Sequence, residues 1–214
     1  MTVCLVTDRR RVAGGATFGD ACDRVVEQVR AAVEAGVDLV QVRERDLEAR
    51  PLMTLVDAIV RASRQTKTRV VVNDRLDVAL ACRADGVHLR GDSLSAAAVR
   101  RLAPPAFLVG RSVHTVEEAR AAGPVDYLIA GPVFATTSKP EGHPALGLAG
   151  LGAITNAANA PVLAIGGITL DRAGPVAGAG AAGIAAIGMF TACDQLAALV
   201  RDLRARFDSV RSAS

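Results

Sequence analysis

Short apolar runs alternating with stretches of helical spacing recur along the whole chain, and that alternation leaves few folds open. The runs fall at residues 3–6, 39–42, 69–72, 86–89, 107–109, 127–130, 162–165 and 183–187, eight in all. Between them apolar residues return at three- and four-residue steps, most clearly over 22–35, 51–63, 115–122 and 195–207. Strands that alternate with helices make a parallel sheet, because a parallel pair needs a crossover of helix length. The junctions repeat as well: Ala35-Gly36-Val37-Asp38, Ala84-Asp85-Gly86, Ala122-Gly123-Pro124-Val125-Asp126 and Ala179-Gly180-Ala181-Ala182-Gly183. Each is read as a left-handed helix end followed by a strand start. Eight such units in 214 residues predict an α/β chain forming a single (β/α)8 barrel of the TIM type over residues 1–214. An open doubly wound sheet is the rival. It would concentrate ligand chemistry at one reversal of strand order, whereas here polar and glycine residues follow nearly every strand, which favours the barrel.

Composition narrows the function. Half of the residues are hydrophobic but only 3% are aromatic, so burial rests on small aliphatic side chains interlocking in layers. The net charge of +3 is spread along helical faces, with no basic run interleaved with aromatics that could stack on bases, so nucleic acid is not an expected partner. No apolar stretch is long enough to cross a membrane, and the first residues run straight into a strand without a leader pattern, so the expected location is the cytoplasm. Cys4, Cys22, Cys82 and Cys193 lie far apart and give neither a zinc spacing nor a disulfide framework.

Chemistry collects at the strand ends. In Gln41-Val42-Arg43-Glu44-Arg45, alternation sends Gln41, Arg43 and Arg45 to one side, where an amide and two guanidinium forks suit a polyanion. A salt-bridge belt is the other reading. Asn73-Asp74-Arg75 offers Asp74 as a hard oxygen ligand for magnesium with Asn73 as an orienter, or equally an N-cap for a helix over 76–81. His88-Leu89-Arg90-Gly91-Asp92-Ser93 offers Asp92 as a second carboxylate, though Asp92 and Ser93 also suit caps for a helix over 94–102; His88 reads as a packed or hydrogen-bonded core histidine. Ser112, after the fifth strand, lacks a nucleophile elbow and reads as a substrate contact. After the sixth strand, Thr136, Thr137, Ser138 and Lys139 can surround a phosphate that is gaining charge, or form an ordinary solvated loop. Gly166-Gly167 and Gly188 follow the last two strands, where main-chain N–H groups commonly hold phosphate in such barrels.

Together these segments resemble the thiamine phosphate synthase and TenI family. The resemblance runs from Leu5-Val6-Thr7-Asp8 to about Phe190 and is carried by Gln41-Val42-Arg43-Glu44, Val72-Asn73-Asp74-Arg75, Gly86-Val87-His88-Leu89, Ser112-Val113-His114, Gly131-Pro132-Val133-Phe134 with residues 136–139, and Ala164-Ile165-Gly166-Gly167-Ile168. It implies an enzyme that joins hydroxymethylpyrimidine diphosphate to thiazole phosphate and releases diphosphate, with magnesium as cofactor and small molecules as its only required partners. By this resemblance Gln41, Arg43, Arg45, Asn73 and Lys139 hold diphosphate, Asp74 and Asp92 the metal, and Ser112 the pyrimidine side. Thr136, Ser138, Gly166, Gly167 and Gly188 hold the thiazole phosphate, and Arg43, Ser112 and Lys139 are the expected catalytic contacts. Oligomeric state stays open, a homodimer included.

Several positions depart from the synthase pattern. Arg45 stands for Lys, Ser138 for Thr, Gly188 for Ser, Cys4 for an aromatic residue, and Arg90-Gly91-Asp92-Ser93 for Gly-Gln-x-Asp, which displaces or removes the second carboxylate. The changed metal segment leans toward TenI-like thiazole tautomerisation, or toward a regulator that binds without turnover. Retention of Asp74, and Pro132 where the tautomerase carries a catalytic histidine, pull back toward the synthase.

Overall fold

A computed structural model describes residues 1–15, 17–136, 142, 144–193 and 195–211. Its strands are β1 (Thr2–Val6), β2 (Leu39–Val42), β3 (Arg69–Asn73), β4 (Gly86–Leu89), β5 (Leu108–Val113), β6 (Tyr127–Ala130), β7 (Val162–Ile165) and β8 (Gly183–Ala186). Each is parallel to its neighbours in chain order, and β8 pairs back onto β1, so the sheet is a closed barrel and the open-sheet alternative falls.

The strands of the closed sheet are buried on both faces, and two-residue alternation sorts their side chains between the two layers. Outward residues such as Val40, Val42, Val70, Val72, Val87 and Leu89 join the layer between sheet and helices. Inward residues Cys4, Val6, Leu39, Val71, Tyr127, Ile129, Leu163 and Ala185 fill the barrel interior, a packed plug rather than a pore. On β2 and β3 the next inward position towards the carboxyl end is polar, Gln41 after Leu39 and Asn73 after Val71.

The helices are α1 (Arg9–Ala13), α2 (Phe18–Glu34), α3 (Ala49–Ser63), α4 (Leu76–Ala81), α5 (Ala96–Leu102), α6 (Val116–Arg120), α7 (Gly147–Ala157), α8 (Ala173–Gly178), α9 (Gly188–Thr191) and α10 (Leu196–Arg211), with a 3-10 turn at Leu170–Arg172. α2 begins a turn earlier than apolar spacing suggests, because Thr17 caps it by accepting from the Asp20 N–H while exposed Phe18 opens the first turn. Its buried stripe is Ala21, Val25, Val26, Val29 and Ala32. Three local readings need correction. α5 is capped by Ser95, which accepts from Ala98 N–H, not by Asp92 or Ser93. α4 follows Arg75 with no side-chain cap, so Asp74 is not its N-cap. β5 runs on to Val113, well past the predicted end at 109, so Ser112 is a strand residue and not part of a loop.

The repeated junctions have a physical purpose beyond turning the chain. Gly36 and Gly180 take left-handed conformations, as read, but before β4 that conformation belongs to Arg83 and not to Gly86. The aspartates that follow tie the barrel floor. Asp38 before β2 accepts from Val3 N–H of β1 at 2.7 Å, Asp85 before β4 from Val70 N–H of β3 at 2.7 Å, and Asp126 before β6 from Val109 N–H of β5 at 2.6 Å. Each carboxylate also pairs with an arginine, respectively Arg204, Arg69 and Arg100. Three strand pairs are thereby stitched at the amino end, leaving the carboxyl end to carry the site.

Candidate active site

The carboxyl ends of the strands open into a cavity of about 1170 Å³. Gln41, Arg43, Arg45, Asn73 and Asp92 line it from the β2 to β4 side. Ser112 and Thr136 line it from β5 and from the chain after β6, and Gly166, Gly167 and Gly188 from β7 and β8. Asp74 lies in an adjoining cleft that shares Arg43, Arg45, Asn73 and Arg90. Ser138 and Lys139 fall outside the described residues, as does Thr137. Strand order decides how these groups face one another. In a closed eight-stranded barrel β2, β3 and β4 stand across from β6, β7 and β8, so the guanidinium wall and the glycine wall oppose each other.

On the guanidinium wall, Gln41 is buried and its Nε2 donates to Asn73 Oδ1 at 2.9 Å, which locks both amides. Burial, and the like charge of Arg45 beside it, push the Arg43 guanidinium below its ordinary value. An anionic ligand relieves both penalties. Val42 and Glu44 point the other way, as alternation requires. Buried Glu44 accepts from Thr7 Oγ at 2.7 Å and from Arg9 N–H at 3.1 Å, and Thr7 Oγ accepts from Arg43 N–H at 3.0 Å. The outward carboxylate thus anchors the chain after β1 and holds the backbone that aims Arg43 inward.

Asp74 takes a left-handed conformation with φ 63° and accepts a hydrogen bond from Ser93 Oγ. Arg90 lies against both candidate metal ligands: its Nη1 is 3.4 Å from Asp74 Oδ2, and its Nη2 donates to Asp92. Asp92 is largely exposed, and its pairing with Arg90 holds its carboxyl below the usual range. Among the described residues no three His, Cys, Asp or Glu side chains group as a metal cage. Two carboxylates beside a guanidinium wall nevertheless fit magnesium, which commonly takes one or two carboxylates and completes its shell with substrate phosphate and water. Arg90 must yield its carboxylates for that to happen.

On the opposite wall, the chain after β6 continues along β7: Val133 N–H donates to Ile165 O at 2.8 Å and Phe134 N–H to Gly166 O at 3.0 Å. This approach leaves no room for side chains on the glycines. A Cβ at Gly166 would stand 2.6 Å from Pro132 Cβ, and one at Gly167 would stand 2.4 Å from Ala135 O. Arg172, which the sequence reading passed over, stacks its guanidinium 4.3 Å from the Phe134 ring centroid and donates to Gly167 O. Arg11, Arg90 and His114 also line the cavity unforeseen. Their signal in the sequence was weak, since each reads locally as an ordinary loop or helix charge.

The floor of the cavity holds a buried polar chain. His88 is 1% exposed; its Nε2 lies 2.8 Å from Ser112 Oγ and its Nδ1 lies 3.2 Å from the Tyr127 hydroxyl. Burial, assisted by the positive charge of Arg43, pushes the imidazole down to about 3, so it is neutral at ordinary pH. The expectation of a hydrogen-bonded core histidine is met.

Comparison with known proteins agrees with this geometry. A family model described as thiamine monophosphate synthase matches residues 4–190. A thiamine-phosphate synthase of Methanoregula boonei is 42% identical over 187 residues, covering 86% of this chain and 87% of that one. One from a Roseiflexus species is 40% identical over 205 residues, covering 95% and 84%. The solved thiamine phosphate pyrophosphorylase of Pyrococcus furiosus superposes with a TM-score of 0.81 at 32% identity, covering 98% of this chain and 96% of that one. The 3-hexulose-6-phosphate synthase of Salmonella typhimurium, at 16% identity and a TM-score of 0.74, shares the fold alone. With a guanidinium wall and a glycine wall facing each other across one barrel mouth and the family match spanning β1 to α9, the chain belongs to the thiamine monophosphate synthase family.

Proposed function

We infer that this protein is a thiamine-phosphate synthase, which couples hydroxymethylpyrimidine diphosphate to thiazole phosphate. The observation that carries the reading is the opposition of a guanidinium wall and a glycine wall across one cavity, a shape suited to two ligands that each bring phosphate. In the coupling, the bond between the pyrimidine methylene carbon and the diphosphate oxygen breaks with its electron pair leaving on diphosphate. The thiazole nitrogen then gives its lone pair to the carbon, and the positive charge ends on the thiazolium ring. No protein nucleophile and no proton transfer are needed, so the work is positioning and charge stabilisation.

In this reading Arg43 and Arg45 grip the departing diphosphate with Gln41 and Asn73 fixing its orientation, and Lys139 adds a further cation. Ser112 contacts the pyrimidine. Thr136, Ser138 and the backbone at Gly166, Gly167 and Gly188 hold the thiazole phosphate. Magnesium would be held by Asp74 and Asp92 with diphosphate oxygens, and when bound would supply positive charge to the leaving group. The free state of all four cysteines supports a cytoplasmic setting. Among the described residues no helix is long and apolar enough to cross a membrane.

The test is release of diphosphate from the two precursors by the purified protein, with and without magnesium, beside Asp74→Ala. Magnesium-dependent formation of thiamine phosphate that Asp74→Ala abolishes is the expected result. A folded native protein that binds neither precursor and forms no product would remove the reading.

A further inference from the structure

Three adjacent strands bring His88, Gly110 and Tyr127 side by side: His88 on β4 pairs with Gly110 on β5, and Gly110 pairs with Tyr127 on β6. All three positions face inward. A side chain at 110 would separate the other two, since a Cβ there would stand 2.1 Å from Tyr127 Cζ and 2.4 Å from its hydroxyl. Glycine leaves the space through which the Tyr127 ring crosses β5 to meet His88, at 5.6 Å between ring centroids. Ser112 lies two residues beyond Gly110 on the same face, one layer nearer the cavity.

The hydrogen bonds of this group have one consistent direction. Among the described residues His88 Nδ1 is the only partner of the Tyr127 hydroxyl, and His88 Nε2 the only partner of Ser112 Oγ. A buried phenol whose proton lacks an acceptor is costly, so Tyr127 donates to Nδ1. That nitrogen is then unprotonated. A neutral imidazole carries its one proton on the other nitrogen, so Nε2–H donates to Ser112 Oγ. With one lone pair of the serine oxygen engaged by the imidazole, its own proton is left free for the open side, which is the cavity.

We infer that Tyr127, His88 and Ser112 form a directional relay in which Nε2–H of His88 engages one lone pair of the Ser112 oxygen and leaves its hydroxyl proton for the cavity, where it can be donated to an unprotonated ring nitrogen. Tyr127 and His88 are positioning residues that act through Ser112. The direction of the relay stands on the ligand-free protein; the identity of the nitrogen as that of a pyrimidine rests on the synthase reading.

The experiment records the imidazole nitrogens of the full chain by long-range ¹⁵N–¹H correlation without ligand. The chain has three histidines, so the signal lost in His88→Gln assigns the ring. The relay requires a protonated Nε2 and an unprotonated Nδ1 at His88. In Tyr127→Phe the constraint on Nδ1 is lifted; the tautomers mix, and hydroxymethylpyrimidine binding measured by calorimetry weakens about 5- to 10-fold, the size of one net hydrogen bond. An Nδ1–H ring in the native chain overturns the relay, even if the pyrimidine binds and thiamine phosphate is made. An Nε2–H ring in a protein that does not bind hydroxymethylpyrimidine supports the relay and removes the substrate reading instead. If Tyr127→Phe does not fold, the native spectrum alone decides.

Discussion

Acid should destabilise this barrel through His88, beginning between pH 7 and 5, above the range where most carboxylates titrate. In the folded chain burial and, secondarily, Arg43 hold the ring pKa near 3, against an ordinary value of 6.5. The other groups bonded to the ring, Tyr127 and Ser112, are neutral, and burial pushes the Tyr127 phenol further up, so neither supplies a charge that would keep a proton on His88. The unfolded chain binds that proton at about pH 6.5 and the folded chain refuses it until about pH 3. Unfolding therefore takes up a proton between these values, and stability that is complete above 6.5 is lost as the pH falls towards 3. Linkage with those values gives a loss of about 2 kcal/mol between pH 7 and 5, and about 3 kcal/mol by pH 4. Urea unfolding at pH 7, 5 and 4 measures it, with His88→Gln as the comparison. Carboxylates held low by arginine, such as Asp46 by Arg9 and Asp77 by Arg75, titrate in both proteins and cancel in the difference. The native protein should lose about 2 kcal/mol more than the variant between pH 7 and 5, at unchanged m. Parallel loss in the two proteins would show that the ring is protonated when folded, and would refute the reasoning.

Gly110→Ala places a methyl group inside the Tyr127 ring, so it should cost about 3 kcal/mol or prevent folding, and Tyr127→Leu in the same chain should restore much of the loss in urea melts. Arg90→Gly releases Asp74 and Asp92 from their shared counter-ion. Magnesium titration in the presence of inorganic diphosphate should then show a half-point lowered about 3- to 10-fold, the scale of one or two exposed ion pairs. Arg43→Lys keeps the charge but loses the two-pronged grip, and should lower kcat/KM for the diphosphate substrate about 10- to 100-fold without changing the melting temperature. Asp126→Ala leaves the buried Val109 N–H without its acceptor, and should cost about 1–3 kcal/mol of stability while the cavity residues keep their roles.

Much of the barrel was legible in the residues because its cause is local. Alternating inward and outward positions, strand-length apolar runs and left-handed helix ends are properties of a few neighbours in sequence, and they placed every strand, with β5 too short. That error came from Gly110 and Ser112, a glycine and a hydroxyl that read as loop and are tolerated in a strand only because Tyr127 crosses over one and His88 binds the other. The residues of the two cavity walls were legible too, since the guanidinium and amide cluster after β2 and the glycines after β7 and β8 are local features, and the structure places them on one cavity.

What the amino-acid order determined by itself, then, was the repeat of strand and helix, the end of the barrel that carries polar groups, and the family to which the motifs belong. Tertiary structure alone decided which of those groups meet. Arg90 bridges Asp74 and Asp92 from positions 16 residues before and 2 residues after it in the chain, and Ser93, read as a cap, instead bonds to Asp74. Asp38, Asp85 and Asp126, read as parts of turns, stitch neighbouring strands at the floor. The physical reason is the same in each case. Hydrogen bonds and ion pairs act over about 3 Å, and contacts between strands are set by the register of barrel closure, which no local pattern along one strand contains.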